Sequence, residues 1–274
     1  MKFYRHWAKA KGTAAGPDGR AFELAGWGYS ETSVADAARV AEARLQRMKE
    51  AVARGGEPLG RYAYGDRPLR EDVLEEPFPG AVITRNSYGC EVLNTARAAF
   101  IDVDLPEQRA PGLLGRLLGR GTQAPSAEAA AMERVKAWLK LNPEQGFRVY
   151  RTRAGLRLLA KRSSEVAAAE PAMRELGADP LYMRLCRAQR SYRARLTPKP
   201  WRCGAPALSV EWPFAGDDEA EFRAWRDEYE AKRKGYGCCR HLADLGSADW
   251  SPELAAIADL HDTRTGANKD LPLA

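Results

Sequence analysis

The sequence predicts an α+β protein, a mostly antiparallel sheet flanked by helices and preceded by a small β-β-α unit. Three observations carry this. Short apolar or alternating segments joined by Gly-containing turns recur through the chain, as antiparallel strands require. Between them lie segments with apolar residues at helical spacing, opened by Ser and closed by Gly or Pro. No internal repeat orders these segments, which sets solenoids aside. With 274 residues, 45% of them hydrophobic and 29% charged, the chain is long enough for a substantial core.

The first unit covers residues 1–56. "FYRHWAKA" and "RAFELAGWGYS" flank the turn signal "GPDG" at 16–19 and read as a hairpin. Ser33 then opens a helix, with Asp36 at the capping-box position and Val34, Ala37, Ala38, Ala41, Leu45, Met48 and Val52 at helical spacing. Gly55 and Gly56 stop it. A unit this small docks on the rest of the chain. His6, Trp7 and Trp27 on the hairpin either pack on its own helix or read nucleic acid from a sheet.

Residues 57–274 read as the core domain. After a Pro/Gly-containing connection, "GAVITRNSYGCEVLNTARAAFIDVDLP" is expected to form two strands joined by a short turn near Asn94. Residues 105–125 break every periodic pattern and read as a surface insertion. A helix is expected at about 126–141, then strand, Gly turn and strand from "GFRVYRTRAGLRLLAKR". Residues 164–190 read as helical with breaks near Gly177 and Pro180, and "SYRARLTP" as extended. A charged helix follows at 217–234, its i,i+4 pairs Glu219–Arg223 and Glu228–Lys232 forming a solvated face. A short strand at 238–243 and a helix opened by Ser251 complete the order.

No apolar run approaches the ~18 residues of a membrane span, and no apolar segment follows the basic N-terminus to make a signal peptide. The expected location is the cytoplasm, without membrane association. Five cysteines, an odd and scattered number, read as thiols. Cys203, Cys238, Cys239 and His241 lack the spacing of structural zinc, and His261-Asp262 has no second histidine to complete a metal pair. Fingerprints of P-loop, Rossmann and nucleophile-elbow enzymes are missing from the sequence. The net charge of +6, with Arg outnumbering Lys 32 to 11, points to an acidic partner, nucleic acid or nucleotide phosphate first.

Where the charges lie sharpens this. "AAFIDVDLP" is an apolar strand ending in Asp102-Val103-Asp104. Alternation puts both carboxylates on one face, ~6.6 Å apart along the chain, where they repel unless a cation or an arginine intervenes. Mg²⁺ or Mn²⁺ suits such a pair. The alternative is a strand end where one Asp caps the next turn and the other meets an arginine. Two acid-free basic segments lie downstream. The first carries Arg151 and Arg153 on one strand face, Thr152 as a hydroxyl donor, a tight turn at Ala154-Gly155 that lets phosphate approach the backbone, and Arg157. The second carries Arg184, Arg187, Arg190, Arg193, Arg195, Lys199 and Arg202, whose mutual repulsion a polyanion would relieve, with Tyr192 and Trp201 interleaved as stacking residues are.

These three pieces, the strand ending in Asp-x-Asp, the strand-Gly-turn-strand "TRAGLR" and the basic "RLTPKP", resemble the archaeo-eukaryotic primase superfamily of primase-polymerases over roughly residues 80–205. The resemblance implies a primase-polymerase/RRM-like core and metal-dependent nucleotidyl transfer on nucleic acid. It implies metal ligation by Asp102 and Asp104, with a third catalytic carboxylate at Asp179. Its nucleotide-binding turn falls on Thr152, Gly155 and Arg157, to which the residues' own pattern adds Arg151 and Arg153 as phosphate contacts and the 184–202 segment for nucleic acid. Arg157 stands where the family has a histidine. Two further readings remain beside it: an inert module that binds nucleic acid or nucleotide, and a metal-dependent nuclease.

Overall fold

The computed structural model describes residues 1–56, 68–106, 126–246 and 249–274. The insertion expected at 105–125 falls, from 107 on, outside the described residues. Ten strands form one two-stranded and two four-stranded sheets, whose ladders are antiparallel, with six helices among the described residues, so the α+β expectation holds.

The hairpin forms where the turn signal placed it, with β1 (His6–Ala15) and β2 (Ala21–Ser30) paired in unbroken register. Helix α1 (Val34–Ala53) starts as its cap predicts. The Ser33 hydroxyl accepts from Asp36 N at 3.1 Å and donates to the Asp36 carboxylate at 2.9 Å, satisfying one of the free N–H groups of the first turn. Ala37, Ala41, Leu45 and Val52 bury the helix against the hairpin. Trp7, however, turns toward the core, meeting Trp212 edge-on at 6.4 Å. Arg70 covers the Trp27 ring at 3.8 Å and donates to the Trp212 carbonyl.

The first large sheet has the order β3-β4-β5-β9, from Asp72–Phe78, Ala81–Arg85, Glu91–Thr95 and Tyr192–Arg195. Two expectations are corrected here. The connection before residue 80 contains strand β3, and residues 81–104 form three strands, with the turn at Asn86–Gly89. Asn94 sits in the middle of the fully buried β5. Its amide donates to Val82 O, Thr84 Oγ1 and Val92 O, and its carbonyl accepts from Arg193, so this turn-type residue serves as an interior crosslink.

The second large sheet has the order β10-β7-β8-β6, from Cys239–Gly246, Gly146–Thr152, Gly155–Ala160 and Phe100–Asp104. One face is covered by α2 (Ala127–Leu141) and α3 (Val166–Leu176), which bury Val135, Leu139, Met173 and Leu176. Helix α4 (Pro180–Gln189) follows. Helix α5 (Asp217–Arg233) exposes the expected ion pairs but buries Phe222, Trp225 and Tyr229 on its other side. Helix α6 (Pro252–Thr265), capped by Ser251, brings His261 and Asp262 to the other face of the second sheet, beside Phe100 and Tyr150.

Strands β6 and β9 end their respective sheets and meet at a seam. The Tyr182 hydroxyl donates to Phe100 O on β6 at 2.7 Å and accepts from Arg193 N on β9 at 3.3 Å. Arg157 crosses the same seam to Arg195 O at 2.9 Å. No helix among the described residues is long and apolar enough to cross a membrane.

Candidate functional site

Register decides what faces the carboxylates. Asp102 lies opposite Arg157 and Asp104 opposite Gly155, while Val103 is buried on the other face. The Arg157 guanidinium holds Asp102 bidentately, Nε to Oδ1 at 2.7 Å and Nη2 to Oδ2 at 3.0 Å. Arg157 is 3% exposed. Burial disfavours its charge, but Asp102, by charge and hydrogen bonds, more than reverses that and leaves the pKa raised. Its Nη1 also reaches His261 Nε2 at 3.3 Å, so Nε2 accepts and the imidazole proton sits on Nδ1, toward Asp262. Burial pushes the His261 pKa down to about 4. Asp262 in turn accepts from Tyr150 at 2.6 Å and Arg148 at 3.0 Å. The His-Asp pair is therefore the inner end of a buried polar chain that begins at Asp102.

The third carboxylate lies close by. Asp179 N donates to Asp102 O at 3.1 Å, while the Asp179 side chain caps α4, accepting from Leu181 N and Tyr182 N at 3.0 and 3.3 Å. Asp104 makes no hydrogen bond or ion pair among the described residues. Partial burial raises its pKa, as do Asp179 and then Asp102, with Lys199 and Arg202 opposing.

Across from these carboxylates stand Arg195 at the end of β9, and Lys199 and Arg202 around a short 3₁₀ turn (Pro200–Arg202). None of the three is in hydrogen-bond or ion-pair contact with a carboxylate among the described residues, and Arg195 Nε is buried without a partner. Burial lowers the pKa of Lys199, and the nearby Arg195 and Arg202 lower it further. Arg202 is lowered likewise, by burial and by Arg195 and Arg153. The two charge groups enclose a polar hollow of about 300 Å³ that Thr152 also lines. It opens into a cavity of about 580 Å³ reaching Tyr88 and the N-terminal Trp27 and Tyr29. A desolvated cation cluster facing a free carboxylate can take an oxyanion, alone or with a hard cation bound to it.

The fold thus gathers Asp102, Asp104, Asp179, Thr152, Arg157, Arg195, Lys199 and Arg202. The other expected residues lie elsewhere or do other work. Arg151 pairs with Glu128 at 2.8 Å, and Arg153 is exposed outside the hollow. A Cβ on Gly155 would lie 2.0 Å from Val103 O, and its N–H is used by Thr152 Oγ1. The glycine is there for close packing of β8 on β6, where phosphate access was expected. Arg184 and Arg190 are exposed on α4 and at its C-cap. Arg187 pairs with Glu170, and buried Arg193 with Glu71 at 2.7 Å and Asn94. The expectation of seven uncompensated cations therefore reduces to a smaller set, because acids distant in sequence return to two of them. Tyr192 is fully buried, so only Trp201 of the expected stacking pair is exposed.

Among the described residues no group of three His, Cys, Asp or Glu side chains is arranged to hold a metal. Both Asp102 oxygens are taken by Arg157 and both Asp179 oxygens by the α4 cap, leaving Asp104 as the unengaged carboxylate. These residues do not fit a pair of metals shared by Asp102 and Asp104. They do fit one Mg²⁺ or Mn²⁺ carried on a phosphate, since such ions bind through one or two carboxylates plus substrate oxygens. Compared with family models, curated proteins and solved structures, the chain finds no match.

Proposed function

We propose that the seam between the two large sheets binds the phosphates of a nucleotide or nucleic acid. One observation carries this: Arg195, Lys199 and Arg202 converge on the hollow without a carboxylate partner among the described residues, and Arg195 Nε is buried and unsatisfied. Cations placed together and partly desolvated destabilise one another, and a polyanion offsets that cost. The five buried free thiols suit a reducing cytoplasm.

The test is calorimetric titration with inorganic triphosphate and ATP. Each charge-assisted contact contributes ~1.5–3 kcal/mol, so Arg195→Ala and Lys199→Ala should each weaken binding by roughly 10- to 150-fold. Binding should also fall steeply with salt. Variants that bind like the parent would refute the reading.

A second reading, metal-dependent nucleotidyl transfer of the primase-polymerase kind, is favoured by Asp104, a free carboxylate directly across from the cations. A Mg²⁺ or Mn²⁺ ion held by Asp104 would neutralise phosphate charge, while Arg195 and Lys199 orient the phosphate chain. A labelled primer-template with nucleotides and Mg²⁺ or Mn²⁺ separates the possibilities. A lengthened label lost in Asp104→Asn supports transfer, a shortened one a nuclease, and a gel shift alone a binding module.

A further inference from the structure

We infer that the ligand of the seam is single-stranded nucleic acid, with unpaired bases stacked on Tyr88 and Trp201 and the adjoining phosphates on Lys199, Arg195 and Arg202. This rests on the phosphate reading above and adds the part of the surface that phosphate alone would not need.

Tyr88 is 46% exposed and Trp201 51%, and no other aromatic side chain among the described residues is left as open to water. The two rings meet edge-to-face, 5.3 Å apart at 89°. That contact occupies one face of one ring, and at these exposures about half of each residue's surface stays open to a flat partner. Lys199 Nζ lies 5.4 Å from the Trp201 ring and 6.0 Å from the Tyr88 ring, and the same lysine lines the hollow facing Asp104. Aromatic faces and a phosphate-binding cation thus share one residue as their junction. Alternation of ring face and cation is the pattern by which a nucleic-acid strand is held without regard to sequence.

The platform is held rigidly by backbone. Asn86 Oδ1 accepts from both Tyr88 N and Cys90 N at 3.0 Å, which fixes the turn that presents Tyr88. Gly89, at φ +82°, completes that turn in contact with Trp225, whose ring would lie 2.0 Å from any Cβ there. Trp201 stands on the 3₁₀ turn closed by Arg202 N to Lys199 O at 2.9 Å, between Pro198, Pro200 and buried Cys203. Little conformational freedom is lost when a base docks on rings so placed.

The hollow and the larger cavity share Arg195 and Lys199 in their linings. From Arg202 their combined lining passes Lys199 and Arg195 and reaches a second aromatic-cation contact, Arg70 over Trp27. In a duplex each base face is already covered by its neighbours, so exposed stacking rings favour a single strand.

The experiment uses the full chain and two probes. A fluorescein-labelled oligothymidylate of roughly a dozen nucleotides is followed by anisotropy beside a duplex of equal length, and inorganic triphosphate by calorimetry. The single strand should bind at least ~10-fold more tightly than the duplex. Trp201→Ala and Tyr88→Ala should each weaken it by about 5- to 150-fold while leaving triphosphate binding unchanged. Trp201→Phe, which keeps a ring, should retain most of the affinity, and this separates stacking from any loss of folding. Equal binding of duplex, or Trp201→Ala and Tyr88→Ala variants as tight as the parent, overturns the inference. If those variants match the parent while Arg195→Ala loses both probes, stacking falls and the phosphate site stands. If Arg195→Ala and Lys199→Ala also match the parent, both fall.

Discussion

Asp102→Ala should destabilise the folded chain, a consequence that follows from its partner more than from the carboxylate itself. The substitution removes both acceptors of Arg157, at 2.7 and 3.0 Å, and leaves that guanidinium with the Arg195 carbonyl and the neutral His261. At 3% exposure Arg157 cannot recover its hydration. Breaking a buried pair by deleting one member costs ~3–5 kcal/mol. Asp102 is itself 32% exposed, so solvent screens the pair and the lower end applies, about 3 kcal/mol. At ~2–4 °C per kcal/mol for a chain of this size, Tm should fall by about 6–12 °C. Thermal melts and urea unfolding at pH 7 measure this directly. Replacing both residues by apolar ones, Asp102→Leu with Arg157→Met, should regain most of the loss, since two apolar groups leave no charge unpaired. An Asp102→Ala protein melting within about a degree of the parent would refute the ion-pair account. It would return Asp102 to the metal-ligand role that the primase resemblance implies.

Two other outcomes follow from the same network. His261 is held near pKa 4 against an ordinary 6.5 by burial, with Arg157 facing it and Asp262 and Asp102 partly opposing. Between those values the unfolded chain binds the proton and the folded chain does not. Stability is therefore complete above about pH 6.5 and falls as pH drops toward 4, by about 2 kcal/mol at pH 5. Urea unfolding at pH 7 and 5 should show this slope in the parent and lose it in His261→Gln; an unchanged slope in the variant removes the assignment. Comparison with the variant also separates it from Asp104, whose raised carboxyl acts with opposite sign. Gly155→Ala drives a Cβ to 2.0 Å from Val103 O and should lower stability by roughly 2–4 kcal/mol. A fully stable Gly155→Ala protein that has lost triphosphate binding would instead make the glycine a phosphate contact.

Local chemistry was readable from the sequence wherever it needed no distant partner. Ser33 and Ser251 each cap the helix that the sequence has them open, and Ser126 caps the helix expected from about 126. Alternation correctly put Asp102 and Asp104 on one face, with Val103 behind them. What alternation cannot supply is register, and it is register that puts Arg157 opposite Asp102, 55 positions away. The same limit explains Arg193, which looked uncompensated because its acid, Glu71, lies 122 positions upstream. Asn94 misled for another reason. Its residue type favours turns, yet the interior of β5 satisfies its amide completely. His261 and Asp262, with Thr265, are polar residues on the buried face of α6, a signal that spacing alone does not interpret, and Asp179 gained its place only through the hydrogen bond to Asp102.

The seam also governs the order in which the site can come into being. The chain leaves the first large sheet after β5, builds β6, β7 and β8 of the second, returns to add β9 to the first, and only then completes the second with β10. Neither sheet is a contiguous stretch of chain, so neither folds to completion before the other is threaded. Asp102 and Asp104 belong to one sheet, while Arg195, Lys199 and Arg202 lie at and beyond the last strand of the other. A chain still emerging from the ribosome therefore holds its carboxylates for about 90 residues before the opposing cations exist. A ligand spanning the hollow would fasten together two layers that the chain itself joins late.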